Sequence, residues 1–235
     1  MTEPMTTEPP NFVTALKDVL RLLTFRLGNE GFVRLGGWHL AVGMLFTWIV
    51  GMGRWWDDPG ANILQHLGIG SLIYIFILSA ILWIEVLILR PREWSYLNVL
   101  TFVSMTSLPA LLYSLPVEQF LSLPGAQLAN FIFLLIVSVW RVAMLAYYLS
   151  VRGKLNLPAV GITTLLPLTA IVTVLTILNL ERAAFETMGG FRGEPTSHDS
   201  AYAFLAFLTF FSVLMFVPLL MGYFVLVLMA WISKD

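Results

Sequence analysis

The sequence contains no cysteine. The chain therefore forms no disulfide, has no thiolate metal site or thiol nucleophile, and offers no residue for palmitoylation. Charge is also scarce: only 11% of the 235 residues are Asp, Glu, Lys or Arg, whereas a soluble domain carries about 25%. The formal net charge is −1, so no basic surface for nucleic acid is expected, and the low charge excludes a disordered chain.

Apolar residues fill the chain instead. They make up 58% of it, and the mean hydropathy is +0.84. A membrane-spanning helix needs about 20 mainly apolar residues, and six segments meet this requirement: 36–53, 67–89, 96–115, 127–149, 158–179 and 201–232. We therefore predict an all-α, polytopic bundle, with residues 36–235 as a six-helix transmembrane domain.

The segment before the first span has two parts. Residues 1–10 are rich in Thr, Glu and Pro, which predicts a disordered tail. From Asn11 onward apolar side chains recur every three or four residues, at Val13, Leu16, Leu20, Leu23 and Leu27. The opposite face is polar and consists of Thr14, Lys17, Asp18, Arg21 and Thr24. This pattern predicts an amphipathic helix within residues 11–35, capped by Asn11 and stopped at Gly28.

Basic residues flank the leucine-rich face of this helix. We predict that they contact anionic lipid headgroups while the helix lies in the membrane interface: Lys17, Arg21, Arg26 and Arg34. The alternative is a helix that packs against the cytoplasmic loops of the bundle itself. Membrane lipids are the first predicted partner, and another membrane protein or a second copy of the chain is the next.

The positions of Lys and Arg predict the orientation of the spans. One side of the membrane collects nine of them: Lys17, Arg21, Arg26, Arg34, Arg90, Arg92, Arg152, Lys154 and Lys234. The other side has three: Arg54, Arg182 and Arg192. Since cytoplasmic loops are enriched in Lys and Arg, we predict a cytoplasmic (inner) membrane protein with both termini in the cytoplasm.

Two ionisable residues fall well within predicted spans. Arg141 is in the fourth span and Glu85 is in the second, and such residues are functional candidates because burying a charge in a bilayer is costly. We predict an Arg141 to Glu85 ion pair, supported by Asn98 or Tyr147, that ties two helices or lines a polar cavity. The alternative is that both side chains extend toward the inner interface and have no further role.

Three prolines predict irregular helix geometry within the spans. They are Pro109, Pro167 and Pro218, and proline removes a backbone hydrogen bond from a helix. We interpret them as helix kinks. The alternative is a broken helix that presents backbone groups to a ligand.

Sequence motifs for catalysis are absent. There is no His-Glu-x-x-His motif, no zinc spacing, no Gly-x-Ser-x-Gly elbow and no Walker loop. We therefore predict no enzymatic activity, no cofactor and no metal site. A lipid-modifying enzyme would need a base beside the inner-face residues Arg34, Arg90, Arg92 and Glu93, and none accompanies them.

The chain resembles the Yip1-domain membrane proteins over about residues 12–180. The similarity rests on the basic helix Leu16 to Phe25, the closely spaced spans, Thr106-Ser107-Leu108-Pro109, and Val139-Trp140-Arg141-Val142. The resemblance implies a cytoplasmic N-terminus and a helical bundle without known enzymatic chemistry. Eukaryotic members shape or sort vesicle membranes and contact small GTPases. This chain has a sixth span and no sizeable N-terminal region, so GTPase binding is not carried over.

From these features we predict a non-catalytic integral membrane protein that acts as a scaffold or an accessory subunit. The alternative is a small transporter or channel with a polar site at Arg141 and Glu85. A closed pair would favour the scaffold, and a water-accessible cavity that reaches Arg141 would favour the transporter.

Overall fold

The computed structural model describes residues 11–52, 63–89, 91, 93–180 and 200–232. The described part is built of helices and contains no strand. Its α-helices are α1 (Phe12–Leu23), α2 (Asn29–Val33), α3 (Gly37–Met52), α4 (Ile63–His66), α5 (Ile69–Ile88), α6 (Tyr96–Met105), α7 (Leu123–Val151), α8 (Leu157–Ile177) and α9 (Ser200–Ile232). Two 3₁₀-helices, Leu108–Ser114 and Val117–Gln119, connect α6 to α7. The predicted tail at residues 1–10 lies outside the described residues.

Each predicted span contains an apolar helix, but the helices differ in length. Four are long and apolar enough to cross a membrane: Ile69–Ile88, Pro124–Val151, Leu157–Ile177 and Phe204–Ile232. Gly37–Met52 and Tyr96–Leu112 are shorter apolar helices. The 16 residues of α3 reach about 24 Å against a hydrocarbon thickness of about 30 Å. The structure thus supports a membrane protein with four full-length helices, and six spans remain a prediction.

The three prolines have different positions in the helices. Helix α6 begins at the cap Ser95, whose side chain accepts a hydrogen bond from the Asn98 N–H, and it ends at Met105. Pro109 is the second residue of the following 3₁₀-helix, so it marks a change of helix type. Pro167 and Pro218 lie inside α8 and α9, which continue through them.

Helix α3 packs against α1, α5 and α6, and α9 packs mainly against α8. The contact between α3 and α6 is close because Gly43 has no side chain: a Cβ there would lie 2.9 Å from the backbone nitrogen of Met105. Next to it, the hydroxyls of Thr47 and Ser107 share a hydrogen bond of 2.7 Å. Small and hydroxylated residues therefore allow these two helices to approach, as is common inside membranes.

One end of the bundle gathers α1 and α2 with the starts of α3 and α6 and the end of α7. Three side-chain hydrogen bonds make these connections: His39 of α3 with Asp18 of α1, Asn98 of α6 with the Phe32 carbonyl of α2, and Tyr147 of α7 with the Leu27 carbonyl. We call this region the α1 end. Every Lys and Arg that the structure describes lies there, except Arg141, which is deeper in α7: Lys17, Arg21, Arg26, Arg34, Arg152 and Lys154.

Candidate functional site

The predicted ion pair between Arg141 and Glu85 is not formed. Arg141 is half-buried on α7 and makes no hydrogen bond or ion pair within the part of the chain that the structure describes. Glu85 is buried on α5, and neither of its carboxylate oxygens has a partner there. The reason is the helix arrangement: α5 packs against α3, α6 and α8, whereas α7 packs against α8 and the 3₁₀-helices.

The residues predicted to support that pair bind the N-terminal segment instead. The Asn98 side-chain amide donates to the Phe32 carbonyl at 2.6 Å, and its oxygen accepts from the Tyr148 hydroxyl at 2.6 Å. The Tyr147 hydroxyl donates to the Leu27 carbonyl at 3.0 Å. These side chains therefore hold α2 and the preceding loop against α6 and α7.

Glu85 lies in an apolar part of the bundle. One turn further along α5, Leu89 belongs to a buried cluster with Leu166 of α8 and Tyr223 of α9. The Tyr223 hydroxyl donates to the backbone carbonyl of Glu85, not to its carboxylate. The carboxylate is thus enclosed without a compensating group in the described residues, an uncommon and costly arrangement.

Helix α1 presents two kinds of apolar surface. Its cap is the predicted one, since the Asn11 side chain accepts from the Thr14 N–H at 2.9 Å. The side that packs on the bundle is formed by Ala15, Asp18, Val19 and Leu22, all buried. The predicted apolar face is divided: Leu23 packs against the core and Leu27 is buried, whereas Val13 is 57% exposed and Leu20 is 53% exposed. Val13 and Leu20 therefore form an apolar flank of α1 that the described residues do not cover.

The sequence-based assignment of Asp18 to the polar face was wrong. The residue is only 1% exposed, and its Oδ2 lies 3.1 Å from Nε2 of His39, which is equally buried. The Gly36 N–H donates to the other ring nitrogen of His39 at 3.2 Å. With Nδ1 accepting, Nε2 carries the hydrogen that it donates to Asp18. This buried pair fastens α1 to the start of α3.

Arg21 completes the surroundings of Asp18. Its NH1 lies 3.2 Å from Asp18 Oδ1. Burial by itself raises the pKa of the Asp18 carboxyl, but the contacts of the carboxylate with His39 and Arg21 outweigh it and leave the pKa below the ordinary value. Asp18 is therefore ionised at neutral pH.

A left-handed turn after α1 brings two arginines together. Helix α1 ends at Leu23, earlier than the predicted stop at Gly28, because Phe25 adopts a φ of 56°. The Phe25 N–H then donates to the Leu22 carbonyl, and the Arg26 N–H donates to the Arg21 carbonyl at 2.7 Å. This is the hydrogen-bond pattern of a Schellman motif with Phe in the place of Gly. The predicted single helix over residues 11–35 is consequently two helices, α1 and α2.

An arginine-lined cleft lies next to this turn. Its volume is about 500 Å³. It is lined by Arg21, Arg26, Leu27, Gly28, Asn29, Glu30, Gly31 and Arg34. We call this the arginine cleft. Three of the four predicted headgroup contacts thus converge on one concave surface, whereas Lys17 is exposed on α1 and does not line it.

Sequence reasoning missed the Asp18–His39 pair. The partners are 21 positions apart, and a single sequence contains no signal that joins them. One local signal was available: Asp18 lies within one helical turn of Ala15, Val19 and Leu22, so the periodicity permits a packed face that includes it.

Comparison with protein-family models, curated proteins and solved structures finds no match to this chain. The resemblance to Yip1-domain proteins therefore stays a prediction.

Proposed function

We propose that this chain is a non-catalytic integral membrane protein that acts as a scaffold or accessory subunit and grips the inner leaflet of the cytoplasmic membrane through its α1 end. In this proposal both termini are cytoplasmic, and α1 lies in the headgroup layer. The observation that carries the proposal is the convergence of Arg21, Arg26 and Arg34 on one cleft, because clustered guanidinium groups suit phosphate.

The position of α1 along α7 supports this depth. Trp140 donates to the Leu23 carbonyl at 3.1 Å, and Tyr147 donates to the Leu27 carbonyl. At about 1.5 Å per residue, these two rings lie about 26 and 36 Å from Leu123, the first residue of α7. If α7 enters the bilayer near Leu123, they bracket the end of a hydrocarbon core about 30 Å thick. The end of α1 would then lie at the membrane interface.

The same measure accounts for Arg141. It follows Trp140 directly, so it lies about 27 Å along α7, near the same boundary. An arginine at that depth extends its guanidinium to the headgroups and needs no partner within the protein. This interpretation agrees with its half-buried side chain, which has no partner among the described residues, and it argues against Arg141 as a transport site.

The exposed surface of α1 fits the interface as well. Val13 and Leu20 are available to acyl chains, and Lys17 and Arg21 are exposed polar neighbours. Amphipathic helices with this division lie in the plane of the membrane and bind anionic lipids more strongly than neutral lipids.

The absence of cysteine makes the depth of α1 directly measurable. Single cysteines at Leu20 and Lys17 are labelled with a fluorophore in proteoliposomes that contain phosphatidylglycerol. We expect the label at Leu20→Cys to be quenched by brominated lipids and shielded from aqueous iodide. The label at Lys17→Cys should be quenched by iodide and not by brominated lipids. Equal access of iodide to both labels would contradict the interfacial position.

A charge-matched comparison tests the arginine cleft. Arg34→Ala and Lys17→Ala each remove one positive charge, but only Arg34 lines the cleft. We expect Arg34→Ala to weaken the retention of phosphatidylglycerol, measured by native mass spectrometry, more than Lys17→Ala does. Equal losses would show that net charge, not the cleft, binds the lipid.

One observation favours the alternative, a small transporter or channel: the buried carboxylate of Glu85 has no hydrogen-bond partner in the part of the chain that the structure describes. Against it, neither the arginine cleft nor a second cleft beside Arg152 includes Glu85 or Arg141. Proteoliposome flux of protons and small ions separates the two functions. The scaffold predicts no flux for the wild type, whereas flux that Glu85→Gln abolishes would establish the transporter.

A further inference from the structure

A second cleft lies between the end of α2, the start of α6 and the end of α7. It has a volume of about 370 Å³. Its lining residues are Val33, Leu35, Glu93, Trp94, Ser95, Leu97, Asn98 and Arg152. It shares none of its residues with the arginine cleft. We call it the Arg152 cleft.

Arg152 is buried and held in a fixed position. The residue is the C-cap of α7 and is only 9% exposed, unlike the exposed arginines of the arginine cleft. Its NH2 donates to the backbone carbonyl of Glu93, which fixes the guanidinium in place. The side chain that lines this cleft is therefore a rigid cation with little conformational entropy left to lose on binding a ligand.

The charge of Arg152 is poorly compensated. A guanidinium has five N–H donors and does not lose its proton in proteins, yet Nε of Arg152 is buried without an acceptor among the described residues. The Glu93 carboxylate lies 3.9 Å from NH2 and is 79% exposed, and such exposed contacts contribute little. A buried, unneutralised cation is costly, so the arrangement has room for one more anion.

The start of α6 adds to the positive potential of the Arg152 cleft. Ser95 caps this helix and satisfies the Asn98 N–H, while the first N–H groups of a helix lack acceptors within it. A helix N-terminus attracts phosphate for this reason. The Asn98 side chain is already bonded on both its atoms, to Phe32 and Tyr148, so Arg152 is the side chain left to bind the anion.

The remaining wall of the Arg152 cleft is apolar. Val33 is 50% exposed and Leu97 is 55% exposed, and Leu35 lies with them. A free inorganic anion gains no binding energy from such a wall. A phosphate that carries a hydrocarbon chain gains binding energy both from the guanidinium and from burial of the chain against the apolar side chains.

We propose that the Arg152 cleft binds the phosphate group of an anionic lipid, with Arg152 as the donor and Val33 and Leu97 beside the hydrocarbon. The Glu93 carboxylate competes with the phosphate for the same guanidinium. This site is separate from the arginine cleft and does not depend on it.

The test compares three variants of the full-length protein in a neutral detergent. Arg152→Gln removes the donor, Glu93→Gln removes the competing carboxylate, and Lys154→Gln removes a charge two residues away, outside the Arg152 cleft. Binding of phosphatidylglycerol, phosphatidylcholine and inorganic phosphate is measured by native mass spectrometry and by ligand-induced thermal stabilisation. Each variant is also prepared with Arg34→Ala, so that lipid held by the arginine cleft is distinguished from lipid held here.

We expect Arg152→Gln to weaken phosphatidylglycerol binding about tenfold to a hundredfold, as for the loss of hydrogen bonds to a charged group. Glu93→Gln should tighten it a few-fold, and Lys154→Gln should leave it within about twofold of wild type. The differences should persist in the Arg34→Ala background.

Three results would overturn the proposal. If Arg152→Gln and Lys154→Gln weaken phosphatidylglycerol binding equally, net charge and not the Arg152 cleft binds the lipid. Stabilisation by inorganic phosphate as strong as that by phosphatidylglycerol would identify a free anion as the ligand instead of a lipid. The third result applies if Arg152→Gln fails to fold. Glu93→Gln is a surface substitution that leaves the fold intact, and an affinity for phosphatidylglycerol equal to that of wild type would then refute the proposal.

Discussion

Breaking the Asp18–His39 pair should release α1 from the bundle. Asp18→Ala leaves the His39 Nε2–H without its acceptor in a site that is 1% exposed, and it also removes the contact of Arg21 with Asp18. A buried donor left without a partner costs about 1–3 kcal/mol, and a hydrogen bond to a charged group contributes about 1.5–3 kcal/mol. Since these contributions overlap, we expect Asp18→Ala to lower the free energy of detaching α1 from the bundle by about 2–4 kcal/mol.

Hydrogen exchange measures this release locally. The amides of α1 that exchange by detachment should do so about thirty to several hundred times faster in Asp18→Ala than in wild type, since 1.4 kcal/mol corresponds to a factor of ten. A double-mutant cycle with His39→Ala should give a coupling energy of about 1.5–3 kcal/mol. Lys17→Ala is the control, because Lys17 is exposed and substitutions at the surface change stability by less than about 0.5 kcal/mol.

The same contact predicts a pH dependence. The pKa of Asp18 is lowered from its ordinary value of 3.8, so the detached helix binds more protons than the docked one between the two pKa values. The contribution of Asp18 is therefore fully present above pH 3.8 and is lost as the pH falls through the lowered pKa. After correction for intrinsic rates, exchange in α1 should accelerate as the pH falls below 3.8, where the contribution of Asp18 is lost.

Two results would refute this reasoning. If α1 exchanges within threefold of wild type in Asp18→Ala, the buried pair does not hold the helix. If the acid transition is identical in wild type and Asp18→Asn, another group causes it.

Two further substitutions test the packing within the bundle. Gly43→Ala should destabilise the bundle by about 1–3 kcal/mol, because the new Cβ would lie 2.9 Å from the backbone nitrogen of Met105. The control Gly161→Ala should leave the stability unchanged, because the Cβ there meets open space. Equal denaturant midpoints of the two variants in detergent would contradict the close α3–α6 contact. Tyr148→Phe should cost about 1–2 kcal/mol in the same assay, because it leaves the Asn98 side-chain oxygen without its 2.6 Å hydrogen bond, and unchanged stability would show that water replaces the hydroxyl.

Much of the fold could be predicted from local sequence. Apolar windows of about 20 residues identify the positions of the long helices because a bilayer demands that every backbone polar group be bonded within its own segment. Asn11 and Ser95 also cap helices through contacts only three residues away. The end of α1 could not be predicted in this way, because Phe25 takes the left-handed turn that glycine usually makes.

The candidate site was only partly predictable. Exposed arginines at the α1 end follow from composition. Three of them share a cleft because Arg21 and Arg26 flank one short turn and α2 brings its C-cap residue, Arg34, next to them. The roles of the ionisable residues depended on distance in space. Arg141 looked more unusual than Arg152 in the sequence because it falls inside an apolar run, yet Arg152 is the more deeply buried of the two.

By itself, the sequence determined that the chain belongs in a membrane, where its helices lie, and which segments are basic. Hydropathy and charge are local properties that a window of about 20 consecutive residues shows, so a single chain reveals them. Tertiary structure alone decided that Asp18 meets His39 across 21 positions and that Arg152 meets Glu93 across 59. It also separated Glu85 from Arg141. Partners at such distances are set by which helices pack together, a property of the whole bundle and of no local segment.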